Sequence, residues 1–264
     1  MERTAKPDIS LIICTYNRIK FLPECLDSCA AQDLPNDAFE IIVINNNCTD
    51  GTTEFVNGFI QRHPGLGMRH FIETQQGLSY ARNRGIKESK GDIIVFIDDD
   101  AIVKPDYLRL ILGYFESHHD MKGGGGKVVA KFESGKPHWY NKFSAPMFCS
   151  EHLKGDAIFK YKEGDYPFGC NMFFHRSVID SEVYFDPALG RKGTGLLAGE
   201  EKAIFKRIQQ AGHAIYYFPE IMALHQIDDY RMEQTYLDNI SIGNGASHKL
   251  MYSKLGTLRY WMHG

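Results

Sequence analysis

The sequence predicts an α/β chain built on a doubly wound, mostly parallel sheet, and three observations carry that prediction. Short apolar runs rich in β-branched residues recur at Asp8–Cys14 (DISLIIC), Glu40–Asn45 (EIIVIN) and Ile93–Ile97 (IIVFI), each too short for a helix core. Segments with apolar residues at helical spacing separate them. Strands alternating with helices in this way pair in parallel, because each crossover is right-handed and covers a sheet face. Each run also ends in a polar cluster: Thr15-Tyr16-Asn17-Arg18, Asn45-Asn46-Asn47 and Asp98-Asp99-Asp100. Such sheets bind ligands beyond the carboxyl ends of their strands, so three polar exits on one edge point to a nucleotide-type site rather than to three solvated loops.

At 264 residues the chain can form one large α/β domain or two closely packed halves. Its 43% hydrophobic and 24% charged content is that of a soluble globular protein, and a net charge of -3 argues against a general nucleic-acid binder. No apolar run approaches membrane-spanning length, and MERTAKPD does not read as a signal peptide. The six cysteines lack CxxC spacing and read as reduced core thiols, which places the chain in the cytoplasm.

Taken in order, the first strand is followed by a helix whose Leu22, Cys25, Leu26 and Cys29 form one face, with Pro23 near its start. The second strand leads to a helix carrying Phe55, Val56 and Phe59. A weaker strand spans Met68 to Ile72, and a helix spans Gly77 to Ser89. After Ile93–Ile97 and the acidic triplet, Lys104-Pro105-Asp106 opens a helix with Leu108, Ile111, Leu112 and Phe115 on one face. Gly123–Gly126 reads as a flexible turn into a strand at Lys127–Phe132, since no GxxxxGK[ST] pattern accompanies it. Residues 134–165 are irregular, and their aromatic residues form either a satellite core or a sugar platform. Tyr166–Arg176 is a loop entering a strand, and Tyr216–Ala223 a last strand ending at Leu224-His225.

Three clusters carry chemistry. Three adjacent carboxylates, Asp98 to Asp100, form either a solvated turn or a cation site with phosphates as the cation's partner. Glu200 and Glu201 start a helix bearing Ile204, Ile208 and Ala211. By spacing, Glu201 points inward and Glu200 leans toward Arg207. Acids at a helix start complement its dipole, but an inward carboxylate beside a like charge also suits a general base. His225 becomes a metal ligand if its strand end folds back to the triplet.

These motifs together resemble glycosyltransferase family 2, the inverting enzymes of the GT-A fold. The matching stretches are ISLIICTYNR, NNNCTDGT, GLSYARNRGI, FIDDDAIVKPDYL, GCNMFF, GEEKAIFKR and His225, covering residues 8 to 227. The resemblance implies a catalytic domain over 1–227, with a Rossmann-like nucleotide-sugar half (1–103), a mixed-sheet acceptor half (104–227) and a helical tail (228–264). It implies that Asp98 and Asp100 are the ends of a DXD motif on Mn²⁺ or Mg²⁺, with His225 as third ligand. Thr15, Tyr16, Asn17, Arg18, Asn45, Asn46 and Asp99 are implied around the nucleotide, and Arg82 near the base or diphosphate. Gly169 and Asn171 are implied at the donor-sugar pocket and Glu201 as the base, with Glu200 its rival. Asn45 and Asn46 stand where the family usually carries an acid, and Glu201 where Asp is commoner.

The function so implied is transfer of a hexosyl or N-acetylhexosaminyl group from a UDP-sugar to a saccharide or lipid-linked saccharide. The alternatives are a non-catalytic binding module of the same fold and a nucleotidyltransferase; the latter lacks its Gly-rich phosphate loop, TYNR standing there instead. In the tail, Met251, Leu255, Leu258 and Met262 form a stripe beside Lys249, Lys254 and Arg259. It either packs on the domain or makes peripheral contact with the cytoplasmic face of a membrane.

Overall fold

The computed structural model describes residues 6–179, 185–191 and 199–253. Strands β1 (Ile9–Thr15), β2 (Phe39–Asn45), β3 (Met68–Ile72) and β4 (Ile93–Asp98) pair in parallel in the order β3-β2-β1-β4. Their crossovers are α1 (Leu22–Ala30), α2 (Thr52–Arg62) and α3 (Leu78–Glu88). Helix α1 buries Leu22, Cys25, Leu26 and Cys29, the four residues its spacing selects. With helices on both faces, β1 and β2 are buried along almost their whole length, which is why their sequences run apolar rather than alternate.

The second half extends the same sheet with mixed polarity. β5 (Ala101–Val103), α4 (Tyr107–Ser117), β6 (Met121–Phe132), α5 (Ala145–Phe148), β7 (Phe159–Lys160), β8 (Asn171–His175), α6 (Glu200–Gln210), β9 (Ala214–Ile227) and α7 (Gln234–Ser253) follow in chain order. The sheet continues β4-β8-β6-β9-β5, with β7 on β9. β8 is antiparallel to β4 and β6, whereas β6 and β9 are parallel. Apolar side chains of one face pack under α1, α2 and α4, and those of the other under α3 and α6.

Two expectations are corrected. Gly123–Gly126 is not a turn but the middle of β6, squeezed between neighbours that leave no room for side chains. A Cβ on Gly126 would stand 1.7 Å from the Ile221 carbonyl oxygen, and one on Gly124 2.7 Å from that of Tyr216. The helix expected from Lys104-Pro105-Asp106 begins later, at Tyr107, because a short strand, β5, uses the residues just before them to pair with β9.

That pairing positions the site. Its register sets Ala101 opposite His225, and the Gln226 amide donates to the Asp100 carbonyl at 2.9 Å. The last long strand thereby brings His225 to the acidic triplet. Among the described residues no helix is long and apolar enough to cross a membrane. Helix α7 reaches Ser253; Leu255, Leu258 and Met262 of the tail stripe lie outside the described residues.

Candidate active site

Two cavities open along the carboxyl edge of the sheet. The larger, about 870 Å³, is walled by Cys14, Thr15, Tyr16, Asn17, Arg18, Asn46, Asp98 and Asp99 on one side and by Tyr230, Arg231, Tyr236 and α7 residues on the other. The smaller, about 380 Å³, is lined by Arg82, Tyr166, Phe168, Gly169, Glu200 and Glu201. Leu78, Asp98 and Arg191 line both. Of the predicted nucleotide residues, Thr15, Tyr16, Asn17, Arg18, Asn46 and Asp99 thus share one cavity.

Asn45 does not reach it. Its side chain donates to Thr53 Oγ1 at 2.9 Å and accepts from the Cys48 amide at 2.7 Å, so it is spent on the turn into α2. Asn46 reaches the cavity wall but is heavily bonded: its Nδ2 donates to the carbonyls of Glu73 and Gln75, and its Oδ1 accepts from the Gly77 amide at 2.8 Å. An acid could not make both amide donations, which accounts for Asn at this strand exit. Asn171 also lies apart from both cavities. It is fully buried, donates to the carbonyls of Lys127 and Ile221 at 2.8 and 3.0 Å, and accepts from the Tyr107 hydroxyl at 2.8 Å. Asn171→Ala strands all three groups and is expected to lower unfolding free energy by about 3 kcal/mol or more, read by urea titration, with UDP affinity unchanged.

The acidic triplet divides into two functions. Asp98, Asp100 and His225 each offer a ligand atom, all within 4.8 Å of one another. His225 Nδ1 lies 2.7 Å from the Cys149 carbonyl oxygen, an acceptor only, so Nδ1 carries the hydrogen. Nε2 then presents its lone pair to Arg231 Nη1 at 3.1 Å, with Asp100 Oδ2 at 3.3 Å. Asp100 is wholly buried. Burial works to raise its carboxyl, but the guanidiniums of Arg18 (2.5 Å) and Arg231 (3.4 Å) hold it well below the ordinary range. Its other oxygen, Oδ1, is buried with no hydrogen-bond partner among the described residues. Two carboxylates and an imidazole lone pair, with one carboxylate oxygen unsatisfied, fit a divalent cation. Asp99 instead faces Arg18 at 3.6 Å, and burial pushes its carboxyl up to about 7.

The glutamate pair is oriented differently from its spacing. Glu200, not Glu201, is the buried one, continuing the i, i+4 stripe of Ile204 and Ile208. Glu201 is half-buried, with Oε2 lacking a hydrogen-bond partner among the described residues. Glu200 does not lean toward Arg207; it accepts from Arg82 Nη1 at 2.8 Å. Arg82 is itself buried, donates to the Gly169 carbonyl at 3.4 Å and stands 3.8 Å from Asp98, joining the acid pair to the triplet. It lines the smaller cavity. Gly169 makes room for it, since a Cβ there would meet Arg82 Nη2 at 2.6 Å.

Burial, reinforced by the Glu201 charge and opposed by Arg82, pushes the Glu200 carboxyl up to about 8. The folded chain therefore keeps a proton that the unfolded chain, titrating near 4.5, has released. Stability is expected to fall as pH rises through the window between those values. Thermal melts should show a declining midpoint whose slope Glu200→Gln reduces, Asp99 supplying part of the remaining decline; a flat wild-type profile would contradict the protonated state.

Comparison with known proteins bears on the family and the fold. The family model described as "Glycosyl transferase family 2" matches residues 10–181, well over half of the chain. The glucosyl-dolichyl phosphate glucuronosyltransferase of Haloferax volcanii is 26% identical over 249 residues, covering 92% of this chain and 77% of that protein. A dolichyl N-acetyl-α-D-glucosaminyl phosphate 3-β-D-2,3-diacetamido-2,3-dideoxy-β-D-glucuronosyltransferase of Methanococcus voltae is 24% identical, covering 81% of this chain and 65% of its own length. Among solved structures, Staphylococcus aureus TarS 1-349 in complex with UDP-GlcNAc superposes with a TM-score of 0.61 at 17% identity, over 97% of this chain and 73% of that one. The mannosyltransferase PcManGT of Pyrobaculum calidifontis in complex with GDP-Man and Mn2+ gives 0.58 at 20%, over 84% and 57%. With its doubly wound half, its acid-rich strand exit and its closing histidine, the chain belongs to glycosyl transferase family 2 and has the GT-A fold.

Proposed function

We propose that the chain transfers a sugar from a UDP-linked donor to a hydroxyl of a lipid-linked saccharide, inverting the anomeric carbon. The observation that carries this is the place of Asp98. It lines both cavities, belonging to the Asp98–Asp100–His225 trio and standing beside Arg82, which holds Glu200. The larger cavity takes the nucleotide, the smaller one the reacting hydroxyl, and the anomeric carbon lies between them. UDP, UDP-GlcNAc and GDP-Man in the superposed enzymes support a nucleotide-sugar donor, and the dolichyl phosphate substrates named for the archaeal relatives support a lipid-linked acceptor. Membrane contact through the C-terminal tail would suit such an acceptor.

Asp98, Asp100 and His225 would hold the ion, and the imidazole ligand favours Mn²⁺ over Mg²⁺. When bound, it supplies neutralisation of charge on the departing diphosphate. The protein's own part is proton removal and alignment. Glu201 takes the acceptor hydroxyl proton as that oxygen bonds to the anomeric carbon from the face opposite the leaving group. The anomeric carbon–phosphate oxygen bond breaks and the nucleoside diphosphate leaves. Glu200, tied to Arg82, fixes the start of α6 and so the position of Glu201.

A uronosyl donor is the second reading, because Arg191 lines both cavities, where a sugar carboxylate would pass, and both archaeal relatives are named glucuronosyltransferases. The test is UDP release from UDP-glucose, UDP-N-acetylglucosamine and UDP-glucuronic acid, with and without a dolichyl-phosphate saccharide. Acceptor-stimulated release supports transfer. Binding of every donor without release would leave only the binding-module alternative.

A further inference from the structure

Arg231 lies beyond the stretches that carry the resemblance and beyond the residues the family model matches, on the 3₁₀ turn Asp229–Met232 between β9 and α7. It is 5% exposed, and its only carboxylate partner among the described residues is Asp100. Its guanidinium also meets the lone pair of His225 Nε2, the Tyr230 side chain and the Tyr236 ring at 6.0 Å, and its Nε is buried with no hydrogen-bond partner among the described residues. Asp100 and His225 are both members of the candidate metal trio.

An imidazole nitrogen has one lone pair, so a cation and Arg231 cannot share His225 Nε2. The two guanidiniums on Asp100 are not equivalent in this respect. Arg18 also faces Asp99 at 3.6 Å and lies over the Phe21 ring at 5.1 Å, so it keeps partners if Asp100 is taken. Arg231 has no second carboxylate among the described residues. A buried guanidinium without an anion is costly, and it must find another. It already forms part of the wall of the larger cavity, where a nucleoside diphosphate would lie.

We propose that Arg231 is a placeholder cation: it neutralises Asp100 and caps His225 until a metal displaces it, and it then binds the diphosphate of the donor. The proposal rests on the metal-dependent reading above. It makes Arg231 a competitor of the metal alone but an ally of the metal with nucleotide. A residue that merely held the fold together would move both affinities the same way.

The experiment is calorimetric titration of the full chain with Mn²⁺ alone, and with UDP at saturating Mn²⁺, for wild type, Arg231→Gln and Arg231→Lys. Arg231→Gln is expected to bind Mn²⁺ alone about tenfold more tightly and UDP with Mn²⁺ about tenfold more weakly, the scale of one charge-assisted hydrogen bond in each direction. Arg231→Lys keeps a cation with a single point of contact, so it should show the tighter Mn²⁺ binding with a smaller loss of UDP. It carries the test should the glutamine variant fail to fold. Changes of like sign, or none, in a chain whose UDP binding depends on Mn²⁺ overturn the exchange alone. UDP binding by wild type that ignores Mn²⁺ overturns the metal assignment and the exchange together.

Discussion

Glu201→Gln is expected to reduce sugar transfer by about 10²–10⁴-fold, the usual contribution of a positioned general base, while UDP affinity stays within about twofold. The amide matches the carboxylate in size but has no basic oxygen. Nucleotide binding should survive because Glu201 lines the smaller cavity and not the larger one. The choice between the two acids rests on their partners. Glu200 already accepts a hydrogen bond from Arg82, and its raised proton affinity makes it a poor acceptor of a further proton at neutral pH. Among the described residues Glu201 Oε2 has no such bond. Single-turnover transfer and UDP calorimetry on the same preparation decide it: persistent transfer in Glu201→Gln, together with its loss in Glu200→Gln, would reverse the two roles.

Asp100→Asn is expected to act on both stability and binding. It removes the charge that Arg18 and Arg231 share in a wholly buried position, which should destabilise the fold by about 3–5 kcal/mol, as for other broken buried ion pairs. It should also abolish any Mn²⁺ enhancement of UDP affinity. The pH dependence has a definite sign. Because the folded-state carboxyl is held below its unfolded value, Asp100 contributes stability above about pH 4, and that contribution is lost progressively in more acid solution. The variant should therefore lose less stability on acidification than the wild type. Equal acid sensitivity in the two chains, measured by denaturant titration across that range, would argue that the Arg18–Asp100–Arg231 cluster contributes nothing net.

Much of the first half could be read from residue order alone. The buried face of α1, the three apolar strands before the triplet and the shared edge of their polar exits follow from periodicity, because each element buries its own pattern. The second half was less legible because its determinants are distant in sequence. Glycine ordinarily signals a turn; that Gly124 and Gly126 sit in a strand depends on carbonyls of Tyr216 and Ile221, which no local pattern reveals. At α6 the apolar stripe allowed either acid to face inward, and the partner that holds Glu200, Arg82, lies 118 positions away. Asn171 and Asn45 have the composition of ligand-binding residues, yet their hydrogen bonds go to the chain itself. Arg231 gave a faint signal at most, six residues past His225 along the chain.

The pairing of β5 with β9 also bears on how the molecule reaches this state. Asp100 and Arg231 are separated by 131 positions, so bringing them together closes a long loop whose entropy is lost before any of their attraction is gained. A partly folded chain with only the first four strands in place would set its acidic triplet beside Arg18 and Arg82 but would lack both His225 and Arg231. Docking of the final strand is thus the step that adds the second guanidinium on Asp100 and brings the third candidate ligand, His225, to the carboxylates. Mn²⁺ added during refolding should slow unfolding of the finished protein and leave the early collapse rate unaltered.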